Sequence, residues 1–329
     1  MPSAAPREQP GAKGKQMGHS QPLVSVIVLS YKRPQFLAAA LDSIRSQSYL
    51  AVEVIVVDNN SAESAEIERL VRGYSGVKLV MNAVNLGYTG GMNAGLIAAS
   101  GEYVHFTTDD VQLERDCLEH LVKYDQAHSV IGLLGGTLLT EDRETICCAG
   151  GEFALDAVYH RKNFGEGEKD IGQFACPFEV SCIDGAMIFG RTEFLRALGG
   201  FRSEFFVYSD SIELSARVHK VAGRIVIVPK AKAYVHNAPH AFTDERLSFH
   251  RTKNLYAMYL LHARWRVLPE FFLRYGLIVP LRSMYANRKM AWPLVRAWAW
   301  FLFRAPSLVY ERVRGTRYGQ LPETRKAEQ

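Results

Sequence analysis

Two carboxylates stand side by side in TTDDV, Asp109 and Asp110, directly after a short apolar run. Adjacent like charges repel unless they are solvated or bridged by a cation, and hard oxygen ligands suit Mg²⁺ or Mn²⁺, ions that also bind diphosphates. A helix N-cap followed by a first-turn acid would read the same way. A third carboxylate, Asp58, closes another run in VDNNS. It could accept hydrogen bonds from a ribose or base, or form an Asx turn of the kind Asn59 and Asn60 also favour. Between these acids lies NLGYTGGMNAGL, residues 85–96, with four glycines. Gly87, Gly90 and Gly91 would leave backbone N–H groups bare ahead of a helix, which suits close approach of phosphate oxygens or a nucleoside. The two common nucleotide motifs are misplaced here. The first apolar run is followed by SYKRPQ where a dinucleotide fold needs GxGxxG, and the glycines are followed by Met92 and Asn93 where a P-loop needs Lys-Ser/Thr.

The elements that must hold these residues can be read from periodicity. Residues 23–30 are a short β-branched run of the kind found in doubly buried strands, and 52–57, 77–81 and 103–107 read as further strands. Pro34 begins a helical pattern carried by Phe36, Leu37, Leu41 and Ile44; a short helix up to Val71 and another over about 91–99 follow. Strands alternating with helices predict a doubly wound, mostly parallel α/β sheet, whose ligands bind beyond the carboxyl ends of the strands. VDNNS, NLGYTGG and TTDD all fall there. After Leu113 the rhythm changes: a helix around 115–126, apolar runs at 131–139 and 145–153, and the charged loop NFGEGEKDIG suggest a mixed-sheet half. The chain is expected to divide into a flexible tail over 1–22, an α/β domain over 23–248 and a helical region over 249–329.

With 329 residues, 48% hydrophobic and 22% charged, the chain is globular in class. Its net charge of +5 is uneven: from Leu261 onward thirteen Lys/Arg face four acids, so the end carries +9 and the rest −4. Such an end suits an anionic surface or is a solvated basic face. The C-terminal apolar stretches, separated by Pro280, Pro293 and Pro306, are each shorter than a membrane span. Trp292, Trp298, Trp300, Phe301 and Phe303 with Arg296 and Arg304 would make an interfacial helix, or pack on the body. The basic end lacks any recognisable nucleic-acid module, so no nucleic acid is expected as a partner. Five cysteines without metal spacing, and a first segment without the apolar core of a secretory signal, predict a reducing, cytoplasmic setting.

Taken in order, VSVIVLSY, VDNNS, NLGYTGGMNAG and TDD resemble family 2 of the nucleotide-sugar glycosyltransferases, inverting enzymes of the GT-A fold. The resemblance continues through DGAMIFGRTEFLRALGGF, FFVYSDSIELSAR and VHNAPHAF, about seven tenths of the chain. It implies a nucleoside diphosphate sugar, dTDP- or UDP-linked, as donor, and a glycan, lipid-linked or natural-product hydroxyl as acceptor. By position, Ser30 and Tyr31 would line the nucleobase pocket and Asp58 would hold the base or ribose. Asn85, Gly87 and Asn93 would shape the nucleoside and diphosphate pocket, with Asp109 beside them. Thr108-Asp109-Asp110 takes the place of an Asp-x-Asp motif, with Asp110 the principal ligand of a divalent metal, Mg²⁺ or Mn²⁺, and His236 completing its site.

One departure matters. Family members usually carry an acidic pair after FFxYx, whose second acid removes the acceptor's proton; here the pair is Asp210-Ser211. Asp210 is expected to take over as base, with Glu213, one turn on, the other candidate. The substitution also admits a catalytically impaired sugar-nucleotide-binding or scaffold protein. Residues 136–153 together with the GGF segment are similar to bacterial members that add rhamnose or related sugars to cell-surface glycans. The basic end would then meet the inner face of the membrane as a peripheral contact.

Overall fold

A computed structural model describes residues 21–157, 161–236 and 244–315. The first half is a run of strand–helix units: β1 (Val24–Ser30), α1 (Pro34–Arg45), β2 (Val52–Asp58), α2 (Ser64–Arg72), β3 (Val77–Met81), α3 (Gly87–Ala98) and β4 (Tyr103–Thr108). A short β5 (Val111–Leu113), α4 (Cys117–His128) and a long β6 (Gly132–Thr140) lead into the second half. There, β7 (Ile146–Cys148), β8 (Gly151–Phe153), β9 (Arg161–Asn163), β10 (Phe178–Glu179) and β11 (Ile188–Arg191) precede α5 (Thr192–Ala197), α6 (Asp210–Lys220) and β12 (Arg224–Val235). The chain then turns helical with α7 (Asp244–His262), α8 (Leu268–Phe271), a π-turn, α9 (Val279–Ala286) and α10 (Ala291–Arg314).

The main sheet runs β10-β12-β6-β11-β4-β1-β2-β3. β3, β2, β1 and β4 are parallel neighbours, β6 and β12 form a second parallel pair, and antiparallel β11 joins the two sets. The expected parallel sheet with a mixed second half is therefore present. Every residue of β1 is buried, and its side chains alternate between two cores. Val24, Val26 and Val28 pack under α1, α2 and α4, while Ile27 and Leu29 meet α3, α5 and α6.

Here the glycine stretch has a different use from the expected one. A Cβ on Gly91 would lie 2.4 Å from Leu29 Cδ1, and one on Gly95 would lie 2.3 Å from Ile27 Cγ2. These glycines let α3 press onto β1, and the helix starts at Gly87, a turn earlier than periodicity suggested. At Gly87 itself φ is +70° and a Cβ would strike Phe206 O at 2.3 Å, so only glycine fits.

A third core joins Phe205 and Ile212 to Tyr256, Tyr259, Phe271, Phe301 and Leu308 of the C-terminal helices. Tyr259 and Phe271 stack at 3.7 Å. A boundary at 248/249 falls inside α7. Nor do the prolines all break helices: Pro280 and Pro293 lie at helix starts, where a missing N–H costs nothing, but α10 runs through Pro306. Of the aromatic stripe, Phe301 is buried and Trp298 and Trp300 are half-buried, whereas Trp292 and Phe303 are exposed. Among the described residues no helix is long and apolar enough to cross a membrane.

Candidate active site

Parallel register sets the strand ends level: Ser30 pairs with Asp58, and Leu29 with Thr108. Asp109, fully buried just past β4, accepts from Ser30 Oγ at 2.9 Å and from the Tyr31 N–H at 3.3 Å. Burial, and then the neighbouring Asp110, push its carboxyl up to about 7, against the pull of Arg33. Asp110 accepts from Thr108 Oγ1 at 2.6 Å. Both acids are bridged by one guanidinium: Arg33 Nη2 lies 2.7 Å from Asp109 Oδ1, and Nη1 lies 2.7 Å from Asp110 Oδ2. The repulsion noted between the two carboxylates is thus answered by a side chain. Arg33 was missed as a site residue; its signal was a cation placed between the end of β1 and a first-turn proline, beside the strand that ends in the acids.

His236 reaches this corner through its main chain, its N–H donating to Asp110 O at 2.8 Å. Its ring stacks on Phe36 at 5.6 Å, with Nδ1 3.0 Å from Glu141 Oε1 and Nε2 2.5 Å from the Gln112 amide. Among the described residues no three His, Cys, Asp or Glu side chains cluster as a metal set. Asp110 offers hard, half-buried carboxylate oxygens now paired with a cation, which fits a divalent ion; the His236 ring would have to leave Glu141 and Gln112 to join it.

Beside the acids lies a cavity of about 190 Å³, with Tyr31, Arg33, Asn59, Gly87, Tyr88 and Thr108 on one side and Val207 and Tyr208 on the other. Asp58 does not line it. Its buried carboxylate accepts from the Ser61 N–H at 3.2 Å and from Ser64 Oγ, so it has the Asx-type geometry. The next residue, Asn59, carries the wall instead. Its amide donates to Asn85 Oδ1 (3.1 Å) and Gly87 O (2.9 Å), and its carbonyl accepts from Asn82 Nδ2 and the Leu86 N–H, both at 3.0 Å. Asn85 also accepts from the Gly87 N–H at 2.8 Å, while its own Nδ2 is buried without a partner. Asn93 sits away from the cavity and bonds both polar groups of Phe201, at 2.7 and 2.8 Å, locking α3 to the GGF turn.

The opposite wall is a forced turn. Phe206, Tyr208 and Ser209 have φ of +66°, +70° and +57°, conformations that cost L-residues about 1–3 kcal/mol each. Asn254 of α7 holds it: its Nδ2 lies 2.8, 2.8 and 2.7 Å from the carbonyls of Phe205, Val207 and Tyr208. Lys253, buried and lowered to about 7 by desolvation, donates to Glu204 O at 2.6 Å. The turn delivers Asp210 to the start of α6, where it accepts from the Ser211 N–H at 2.7 Å. Loss of solvent, and then Asp184, raise its carboxyl to about 6. Tyr88 OH donates to Gly185 O at 2.5 Å, so Asp184, Tyr88 and Asp210 form one group at the cavity's edge. Asp184 lay unremarked at the head of DGAMIFG.

Glu213 is not in that group. Fully buried, it accepts from Arg217 Nε at 3.0 and 2.9 Å, lies 3.4 Å from Arg202 Nε and 3.1 Å from His262 Nε2. Burial alone would raise its carboxyl, but Arg217, His262 and Arg202 hold it well below the usual range. It is an ion-pair hub that ties α6 to the C-terminal helices, since Arg202 also pairs with Glu311 of α10. The expectation that Glu213 faces the site is corrected accordingly. Of VHNAPHAF, Asn237 to Phe242 lie outside the described residues.

The profile of glycosyl transferase family 2 matches residues 25–199, more than half the chain. The chain belongs to glycosyl transferase family 2. Among curated relatives, the transferase is 26% identical over 247 residues to the GalNAc(5)-diNAcBac-PP-undecaprenol beta-1,3-glucosyltransferase of Campylobacter jejuni, covering 73% of this chain and 71% of that one. It is 31% identical over 120 residues to an uncharacterized glycosyltransferase of Haemophilus influenzae and 33% identical over 99 residues to the amylovoran biosynthesis glycosyltransferase AmsB of Erwinia amylovora. Those two matches cover 36% and 29% of this chain, and 37% and 33% of the relatives' own lengths. In fold, the transferase superposes on GalNAc-T7, solved with UDP, GalNAc and Mn²⁺, with a TM-score of 0.61 at 14% identity, over 87% of this chain and 58% of that one. Staphylococcus aureus TarS residues 1–349, solved with UDP, gives 0.53 at 16% identity over 89% and 92%. The GT-A fold follows from these neighbours.

Proposed function

We propose that the transferase moves a sugar, with inversion, from a UDP- or dTDP-linked donor to a hydroxyl of a lipid-linked glycan or related acceptor. The observation that carries this is one cavity bordered by two chemically distinct groups: Tyr31, Thr108 and Arg33, which pairs with Asp109 and Asp110, on one side, and Val207 and Tyr208 of the forced turn that leads to Asp210 on the other. The first wall suits the donor. Tyr31 offers a face to a nucleobase while Asn59, its amide fully engaged, keeps the wall's shape, and the buried, unpartnered Nδ2 of the adjoining Asn85 suits a ribose or phosphate oxygen. Asp110, with His236 after a ring rotation, would hold Mg²⁺ or Mn²⁺, and what a bound cation supplies is neutralisation of charge on the departing diphosphate. Arg33, freed from Asp110, would remain within reach of the same oxygens.

The second wall suits the acceptor. Asp210 takes the proton of the attacking hydroxyl, whose oxygen forms the bond to the anomeric carbon as the carbon–oxygen bond to the diphosphate breaks and its electron pair leaves with the nucleotide. A carboxyl raised to about 6 is a stronger base than an ordinary aspartate yet ionised near neutrality. Glu213, fully engaged by cations, is not needed. A lipid-linked acceptor is favoured by the Campylobacter relative, named for a PP-undecaprenol substrate, and by exposed Trp292, Phe303 and Tyr310 on α10. Such an acceptor would place the enzyme at the inner face of the membrane.

A panel of nucleotide-sugars with Mn²⁺, read by thermal shift, tests the donor half: the matching donor and its free diphosphate should raise Tm above the rest. Donor consumption with and without candidate acceptors then tests the acceptor half. Donor binding without any transfer or hydrolysis would favour the scaffold alternative that Ser211 admits.

A further inference from the structure

A second, larger cavity of about 480 Å³ lies between α7 and the start of α10. Arg246, His250, Lys289 and Arg296 line it together with the aromatics Phe249 and Trp292, against one acid among the described side chains, Glu245. Of the C-terminal arginines, Arg304 pairs with Glu204 and Arg312 donates to the Leu260 and Ala263 carbonyls. Among the described residues no ion pair engages Lys289 or Arg296. His250 is only 8% exposed; burial and the cations around it lower its ring to about 3, so the positive charge of the cavity comes from Arg246, Lys289 and Arg296. A concave site with surplus positive charge and aromatic walls suits an anion.

Its inner wall connects to the chemistry. The His250 ring stacks on Phe206 at 4.6 Å, and the Arg246 guanidinium lies 4.9 Å over the same ring. Phe206 is the first forced residue of the turn, and its carbonyl accepts from the Thr89 N–H at 3.2 Å beside Gly87. One ring therefore separates the basic cavity from the donor-side wall, four residues before Asp210.

We propose that this cavity binds a phosphoryl group, a phosphate ester or diphosphate, and that its occupancy orders the 206–209 turn and so positions Asp210. The group would come from the anchored end of the acceptor or from an anionic lipid headgroup. The link to turnover rests on the transferase reading above; the binding itself does not.

The test titrates the metal-free full chain with inorganic pyrophosphate, read by thermal shift and by amide hydrogen exchange. Wild type and Asp110→Asn should bind alike, Lys289→Ala/Arg296→Ala should bind at least tenfold more weakly, and the Phe206–Asp210 amides should gain protection. Unchanged binding in the double variant, loss in Asp110→Asn, or no added protection at 206–210 would overturn the proposal. Vesicles then separate the sources. Capture by phosphatidylglycerol but not phosphatidylcholine vesicles, competed by pyrophosphate and lost in the double variant, assigns the lipid headgroup; pyrophosphate binding without vesicle discrimination assigns the acceptor's own phosphoryl group. UDP affinity with Mn²⁺, measured on the same double variant, should be unchanged, so a failed anion site and a failed donor site give different results.

Discussion

The two walls of the active cavity are built by opposite means. On the donor side, β1 and β2 pair without a break from Val24↔Val52 to Ser30↔Asp58, and the chemistry sits where regular strands stop. On the acceptor side the chain passes through three left-handed non-glycine residues to reach Asp210, and it is held there by Asn254 and Lys253, more than forty residues away. Regular strands need no such brace. On the proposed reading of Asp210 as base, it stands on backbone that would relax if released, and α7, which braces that backbone, would help position it.

Substitutions on each wall should separate these roles. The largest effect is expected from Asp210→Asn, which should lower kcat by roughly 10² to 10⁴ while leaving UDP affinity intact in calorimetry. The wild-type kcat should rise with pH through about 6, as the base loses its proton, and the variant should lose that limb. Stability moves the other way. A carboxyl raised in the folded state binds its proton more tightly there than in the unfolded chain, so its ionised form is unfavourable above about 6 and is relieved as pH falls toward 4. Asp210→Asn should therefore raise Tm at pH 8 even as it lowers kcat.

Glu213→Gln should do the reverse. Leaving Arg217 and Arg202 without their buried partner should cost about 3–5 kcal/mol in denaturant unfolding, with little change in kcat per folded molecule. A collapse of kcat at unchanged stability would return Glu213 to the candidate bases. Asn254→Ala is intermediate: unsatisfied turn carbonyls at about 1–3 kcal/mol should appear as lost stability and a lower kcat, with nucleotide affinity spared. Equal losses on both walls would erase the distinction between them. The smallest effect is expected from Arg33→Gln. Removing the guanidinium that competes for Asp110 should tighten Mn²⁺ binding, measured by calorimetry without nucleotide, by about fivefold, the equivalent of roughly 1 kcal/mol.

The same contrast explains what could be read from sequence. β1, β2 and β4 were legible because burial on both faces demands continuous apolar runs, and TTDD was legible because it ends one. Asp58 was legible in place but not in use, since an Asx turn and a ribose contact need the same residue there. Gly91 looked like ligand backbone because sequence cannot say whether a bare helix face meets a phosphate or Leu29. Glu213 was misplaced because helical spacing puts it one turn from Asp210 without saying which way the turn faces. Arg33 and Asn254 left no local pattern; their partners are set by tertiary closure alone.

The most direct measurement is calorimetric titration of UDP and dTDP into wild type and Asp110→Asn, each with and without Mn²⁺. Tight binding of one nucleotide to wild type only when Mn²⁺ is present, and its loss in Asp110→Asn, is the predicted result. Binding that is equally tight without the ion, or that survives the Asp110 substitution unchanged, would contradict a cation-bridged donor at the end of β4.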